Sequence, residues 1–230
     1  MNKIKIGISG NLRDAYPKIK VAFLEVKNVD NKKFDEKIEE KKEDLENFIR
    51  KNYVNVKKFE VIESYNNFFK KYEKKYPIQF QIESIINGKN IPSVSCAVES
   101  MFMAELKNMF LTAGHDLDSI RGSLKTKLSY GSESYVKINN AEQNIKAGDI
   151  LTEDSEGIIS SVLYGPDHRT RITENTKNCL FFSYFPFGIE DDKVKSHFKD
   201  IINNLKIFSR DVEASNVEIF SLSESSHIKR

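Results

Sequence analysis

The chain has 230 residues, of which 39% are hydrophobic and 30% charged, a size that fits a single domain, or one large domain with a small appendage. Its 36 basic and 34 acidic residues leave a net charge of +2. No overall field therefore drives non-specific nucleic-acid binding, and a polyanion would need a local patch. Two cysteines far apart in the chain, Cys96 and Cys179, exclude a disulfide scaffold and a paired-cysteine zinc site; both read as small buried groups in a reducing compartment.

The N-terminal MNKIKIGIS has no cleavage-like site, and no run approaches the roughly 20 apolar residues of a membrane span. A cytoplasmic protein without a membrane partner is expected. Ile4, Ile6 and Ile8 alternate at strand period until Gly10-Asn11, and Ile19, Val21 and Phe23 do so again before a turn at Asn28–Asn31. Over residues 32–52 the period becomes helical, with Phe34, Ile38, Leu45, Phe48 and Ile49 apolar and Asn31 as N-cap. The charged run inside it, KKFDEKIEEKKED, reads as a solvated face with intrahelical ion pairs.

A second helix is expected over residues 56–74, where Phe59, Ile62, Tyr65, Phe68, Phe69 and Tyr72 make an aromatic stripe beside Lys70, Lys71, Lys74 and Lys75. The helical spacing favours a core face over a base-stacking platform. A short third helix follows Pro77 and closes at Gly88, and a fourth runs from Ser95 to Leu111. From Gly114 to Tyr184 the pattern is β, with turns at Gly148-Asp149 and Glu156-Gly157 and apolar runs at Ile158–Leu163 and Cys179–Tyr184. A last helix over 190–206, a closing strand over Asn216–Leu222 and a frayed SESSHIKR end complete an α+β domain with segregated elements.

No phosphate loop, dinucleotide glycine pattern, metalloprotease helix or G-x-S-x-G elbow occurs. Neither a cofactor nor a metal is expected. Two stretches could carry chemistry. In Leu111-Thr112-Ala113-Gly114-His115-Asp116, the glycine reads as a helix break that leaves a histidine and a carboxylate at an element end. The pair could orient water or could simply pin the turn. In Tyr164-Gly165-Pro166-Asp167-His168-Arg169-Thr170-Arg171, a Gly-Pro-Asp turn would lead into a strand with Arg169 and Arg171 on one face. Two guanidiniums there suit a phosphate or carboxylate, and a surface ion-pair ladder would look the same. Thr170, Thr173 and Thr176 add hydroxyls.

The ordered set IPSVSCAVESMFMAEL, LTAGHDLDSIRG, GDILTEDSEGIISSVLYGPDHRTRITENTKNCLFF and FPFGIEDDKVKSHFKDIINNL resembles the B3/B4 domain of the phenylalanyl-tRNA synthetase beta chain, from about Ile62 to Phe208. The resemblance implies a three-layer α+β fold with a β-sandwich core and flanking helices. It makes residues 1–230 a single B3/B4-like domain, with 56–208 the core match and 1–55 an appendage. It also implies a tRNA or aminoacyl-tRNA partner, no DNA, and no ATP-dependent ligation. The family's Val-Asp-x-Thr-Asn segment corresponds to Val98-Glu99-Ser100-Met101-Phe102, and its strand-end glutamate to Phe182. A pocket that read a tyrosine hydroxyl through those groups has lost its partner.

The expected function is a tRNA-binding relative of editing domains, with aminoacyl-tRNA ester hydrolysis in trans as its enzymatic form. A non-catalytic RNA-binding module and a binder of small amino-acid-like molecules are the alternatives. In the enzymatic form His115 and Asp116 would orient water or ribose, while Glu99, Tyr164, Asp167, Arg169, Thr170 and Thr173 would hold the substrate.

Overall fold

The computed structural model describes residues 4–221. The first alternating runs form strands β1 (Ile6–Ile8) and β2 (Lys20–Lys27), with a short helix α1 (Gly10–Ala15) between them. Helix α2 (Glu36–Asn52) starts later than its periodicity predicts, because Asp35 caps it by accepting from Lys37 N at 3.1 Å. Asn31, the expected cap, serves another helix: its side-chain oxygen accepts from Ala97 N at 3.0 Å. The expected helix over 56–74 is a 3-10 turn at Val56–Lys58 followed by α3 (Glu60–Lys70). Its stripe is core as read, with Ile62, Tyr65, Phe68 and Phe69 buried.

Helix α4 (Pro77–Ile86) has proline in its first turn and ends before Gly88, whose positive φ of 91° suits the stop. Helix α5 (Cys96–Asn108) ends at Met109, which is left-handed at φ 60°. Strands β3 (Thr112–Asp116), β4 (Leu124–Leu128), β5 (Ser134–Val136), β6 (Glu142–Asn144), β7 (Ile150–Glu153), β8 (Ile158–Ser161), β9 (Gly165–Pro166) and β10 (Cys179–Phe185) make up the β region. Helix α6 (Asp191–Phe208) and the short strands β11 (Glu213–Ala214) and β12 (Glu218–Phe220) follow. The anticipated C-terminal SESSHIKR and Leu222 lie outside the described residues.

One sheet runs β1-β4-β7-β8-β9, with β1 parallel to β4; a second runs β11-β2-β10-β3, with β12 also on β2; β5 and β6 form a separate hairpin. The N-terminal segment anticipated as an appendage thus supplies β2 as an inner strand of the second sheet, paired with β10 along its length. All of β10 is buried, as expected for a continuous apolar run covered on both faces. On one face Ser183 meets Thr112 and, through it, His197 of α6, and Phe185 packs edge-on against Phe110. On the other face Tyr184 reaches the first sheet, its hydroxyl 2.8 Å from Thr152 Oγ1 of β7. Cys96 and Cys179 are free and buried. Among the described residues no helix is long and apolar enough to cross a membrane.

Candidate functional site

The loop after α5 enters β3 with Thr112 N donating to Glu105 Oε1 at 2.6 Å. Gly114 does not break the helix; it lies inside β3, opposite Phe181 of β10. Close packing favours a glycine there, since a Cβ would sit 2.9 Å from Ile172 Cδ1 and 3.2 Å from Met101 Sδ and Phe181 Cε1, so those side chains would have to give way.

His115, one residue on, is fully buried and stacks on Phe182 with ring centroids 4.8 Å apart and planes within 1°. Its Nδ1 lies 2.6 Å from Thr170 Oγ1. The Thr170 hydroxyl donates to Asp167 Oδ1. That uses the only hydroxyl proton, so Nδ1–H is the donor to Thr170 and Nε2 carries the lone pair. Nε2 is buried without a hydrogen-bond partner among the described residues. Burial, and then the Arg169 charge, push the imidazole down to about 3. It is neutral at physiological pH and out of contact with solvent.

A cleft of about 280 Å³ opens beside this strand, between Leu111–Ala113 and the Ser160–Pro166 segment, with Pro77 and Tyr184 completing its wall. Ala113, two residues before His115, lines it; His115 does not. Its volume is near the lower end for ligand sites. Below the Ser161–Tyr164 turn, Asp149 is wholly buried. Ser161 Oγ donates to Asp149 Oδ2, and Leu163 N donates to Asp149 Oδ1 at 3.3 Å. Burial pushes this carboxyl up to about 7 despite those bonds. A larger hollow of about 420 Å³ lies between α2, α5 and α6 and is lined by Phe48 and Met103. It is mostly apolar; Lys41, Asp44 and Lys107 are exposed, and Asp200 is already engaged by Lys107 and Asn108.

Residues 66–219, which contain the whole of this cleft, match the B3/4 domain family. The chain belongs to that family. The phenylalanine–tRNA ligase beta subunit of Mycoplasma pneumoniae is 29% identical over 108 residues, 47% of this chain. The match spans only 13% of that relative's length. An N-terminal fragment of the phenylalanyl-tRNA synthetase beta subunit from Pyrococcus horikoshii aligns with 93% of this chain and 50% of its own, at a TM-score of 0.49 and 14% identity.

Within this B3/4 domain the expected site residues fall into separate groups. Asp167, Thr170 and His115 meet as described, so the imidazole and the hairpin do share one locality. The segment after Pro166 is a turn rather than the expected strand, held between isolated bridges Lys137↔Asp167 and His115↔Arg171. Arg169 and Arg171 consequently do not present a joint anion-binding face. Arg169 donates to Asp154 Oδ1 and Ser119 O, both at 2.8 Å, and Arg171 donates to the His168 carbonyl. Asp154 is held below the usual carboxylate range: burial opposes this, but backbone donors and Arg169 outweigh it.

Asp116 faces away from His115's partners, accepting from Thr176 Oγ1 at 2.8 Å and from Asp118 N at 2.9 Å. Thr173 belongs to the same loop, its amide donating to Thr176 Oγ1 at 2.9 Å. Glu99 is buried against Lys42 Nζ at 3.0 Å and accepts from Val94 N at 2.7 Å, with no atom in the cleft. Tyr164 alone of the expected residues lines the cleft. Ala113, Ser160, Ser161 and Asp149 were not singled out in the sequence. The Gly148-Asp149 turn was visible, but nothing marked its carboxylate as turned inward. Among the described residues no group of His, Cys, Asp and Glu gathers as a metal site.

Proposed function

We propose that this B3/4 domain protein binds tRNA and seats the aminoacyl end in the cleft between Leu111–Ala113 and Ser160–Pro166. The observation that carries this reading is the position of that cleft, inside the family-matched region and lined by apolar groups with a few hydroxyls. Such a lining suits an amino-acid side chain with a polar ester beside it. The same reading takes the two main sheets and the helices as the three-layer, β-sandwich plan that the family resemblance implies.

The enzymatic form of this reading is aminoacyl-tRNA deacylation in trans. Its chemistry would rest on a positioned water and the cleft hydroxyls. His115 is buried, does not line the cleft, and has its pKa pushed down to about 3 by burial, so this reading gives it no role as the base. That observation favours the second reading, binding without turnover.

Filter retention of aminoacylated and deacylated tRNA, with ester half-lives followed across a panel of misacylated tRNAs, separates the possibilities. Aminoacylated tRNA should be held more tightly than deacylated tRNA, and retention should weaken with salt. Equal retention of both, or none, overturns the proposal. A shortened half-life for any panel member establishes deacylation; an unchanged panel leaves the binding module.

A further inference from the structure

We propose that Lys74, set against Tyr164 of the cleft wall, and Lys146 beside it form a clamp for the phosphodiesters of a single-stranded RNA end. This inference rests on the proposed function and assigns the contact that separates an RNA-borne amino acid from a free one. The corner after α3 is tied to the turn before β7 by two bonds. Tyr72 OH donates to the Gly148 carbonyl, and Lys146 Nζ donates to the Tyr72 carbonyl at 3.0 Å. That tie brings Lys146 beside Lys74, two residues further along the same corner. Lys74 Nζ lies 4.2 Å from the centroid of the Tyr164 ring, a cation–π distance. Tyr164 itself lines the cleft. The Lys74 ammonium thus stands on the outer wall of the cleft, with Lys146 as its neighbour on the same corner.

Neither lysine forms an ion pair with a carboxylate among the described residues. Asp149 is the acid nearest in influence, but it is buried and turned onto Ser161 and Leu163 N. Partial burial, then Lys146, and more weakly Lys137, lower the Lys74 pKa, with Asp149 opposing. Like charges gathered without a surface counter-ion attract a polyanion locally, even in a chain whose net charge is only +2. Lysines act on phosphate as point charges and need no bidentate geometry.

The test uses the full chain and two probes. One is a four-nucleotide RNA ending in CCA with an amide-linked 3′ tyrosyl or phenylalanyl group; the other is the same aminoacyl-adenosine without phosphate. Fluorescence anisotropy over 50–200 mM salt gives affinity and salt dependence. In K74A/K146A the affinity for the oligonucleotide should fall about tenfold at low salt, and the slope of log K against log salt should shrink by about 1.4, at about 0.7 per phosphate contact on a single strand. Affinity for the phosphate-free probe should change less than twofold. The K74Q/K146Q variant, which keeps the side-chain bulk, should behave alike, with both variants melting as the parent does. A parent that binds the oligonucleotide, with variants of unchanged affinity and slope, overturns the clamp and leaves the cleft proposal standing. A parent that binds neither probe removes both.

Discussion

Replacing Lys42 with methionine destabilises the protein by about 3–5 kcal/mol, the usual cost of stranding one partner of a buried ion pair. The thermal midpoint should fall on the order of 10 °C for a chain of this size. Lys42 is 2% exposed and Glu99 1%. Their contact at 3.0 Å is joined by Glu39 at 2.7 Å and Ser93 Oγ at 2.9 Å, which completes the ammonium's donors. Burial works against the charged amine, and the two glutamates outweigh it, leaving the Lys42 pKa above its ordinary value. Without Lys42, Glu99 keeps only the Val94 amide. The double variant K42M/E99L should recover much of the loss, because it removes both charges rather than one. Thermal melts of the two single variants and the double variant check this; a K42M variant that melts with the parent contradicts it.

Stability should be greatest on a plateau between about pH 4.5 and 6.5 and should fall on both sides. His115 and His197 are fully buried and pushed down to about 3 from 6.5, by burial first in each case. Between those values the unfolded chain binds protons that the native state refuses, so stability falls as pH drops through that range. Two buried carboxyls act in the opposite sense. Burial raises Glu105 to about 8 from 4.5 and Asp149 to about 7 from 3.8. The native state keeps those protons where the unfolded chain has lost them, so their stabilisation declines as pH rises and is gone above the folded values.

The opposed slopes nearly cancel in the middle, and only the carboxyls remain above pH 6.5. From there to pH 8, Glu105 alone contributes a decline of about 2 kcal/mol at about 1.4 kcal/mol per pH unit. Urea denaturation from pH 3 to 9 should show the dome, and Glu105→Gln, which keeps an acceptor for Thr112 N, should flatten its alkaline side. Stability rising steadily from pH 5 to 8 contradicts this.

Periodicity made most of the helices legible. The stripe of Ile62, Tyr65, Phe68 and Phe69 is buried where its spacing places it, and the unbroken run of β10 marks a strand covered on both faces. What local pattern misses are partners distant in the chain. Glu36, Lys37, Glu40, Lys41, Glu43 and Asp44 form the solvated face that the charged run predicts, but Lys42 within it is drawn inward by Glu99, 57 positions away. Asn31 reads as the cap of the helix that follows it and instead caps α5 through Ala97.

Gly114 was legible as special, but its reason is the Ile172 and Phe181 side chains across the packing, not a helix end. The site was legible as a locality rather than a mechanism. His115 does meet the Asp167–Thr170 turn, while the groups lining the cleft are Ala113 and the Ser160–Pro166 segment. A strand drawn through residues 167–171 put both arginines on one face; the turn that forms there sends each to a partner of its own.

A crystal structure with a non-hydrolysable aminoacyl-adenosine tests the seat of the amino acid most directly. The ligand should lie with its side chain between Ala113 and Tyr164 and its amide against the Ser160–Pro166 segment. Density for the ligand in the hollow between α2, α5 and α6 instead, with the cleft left unchanged, would contradict the proposed site.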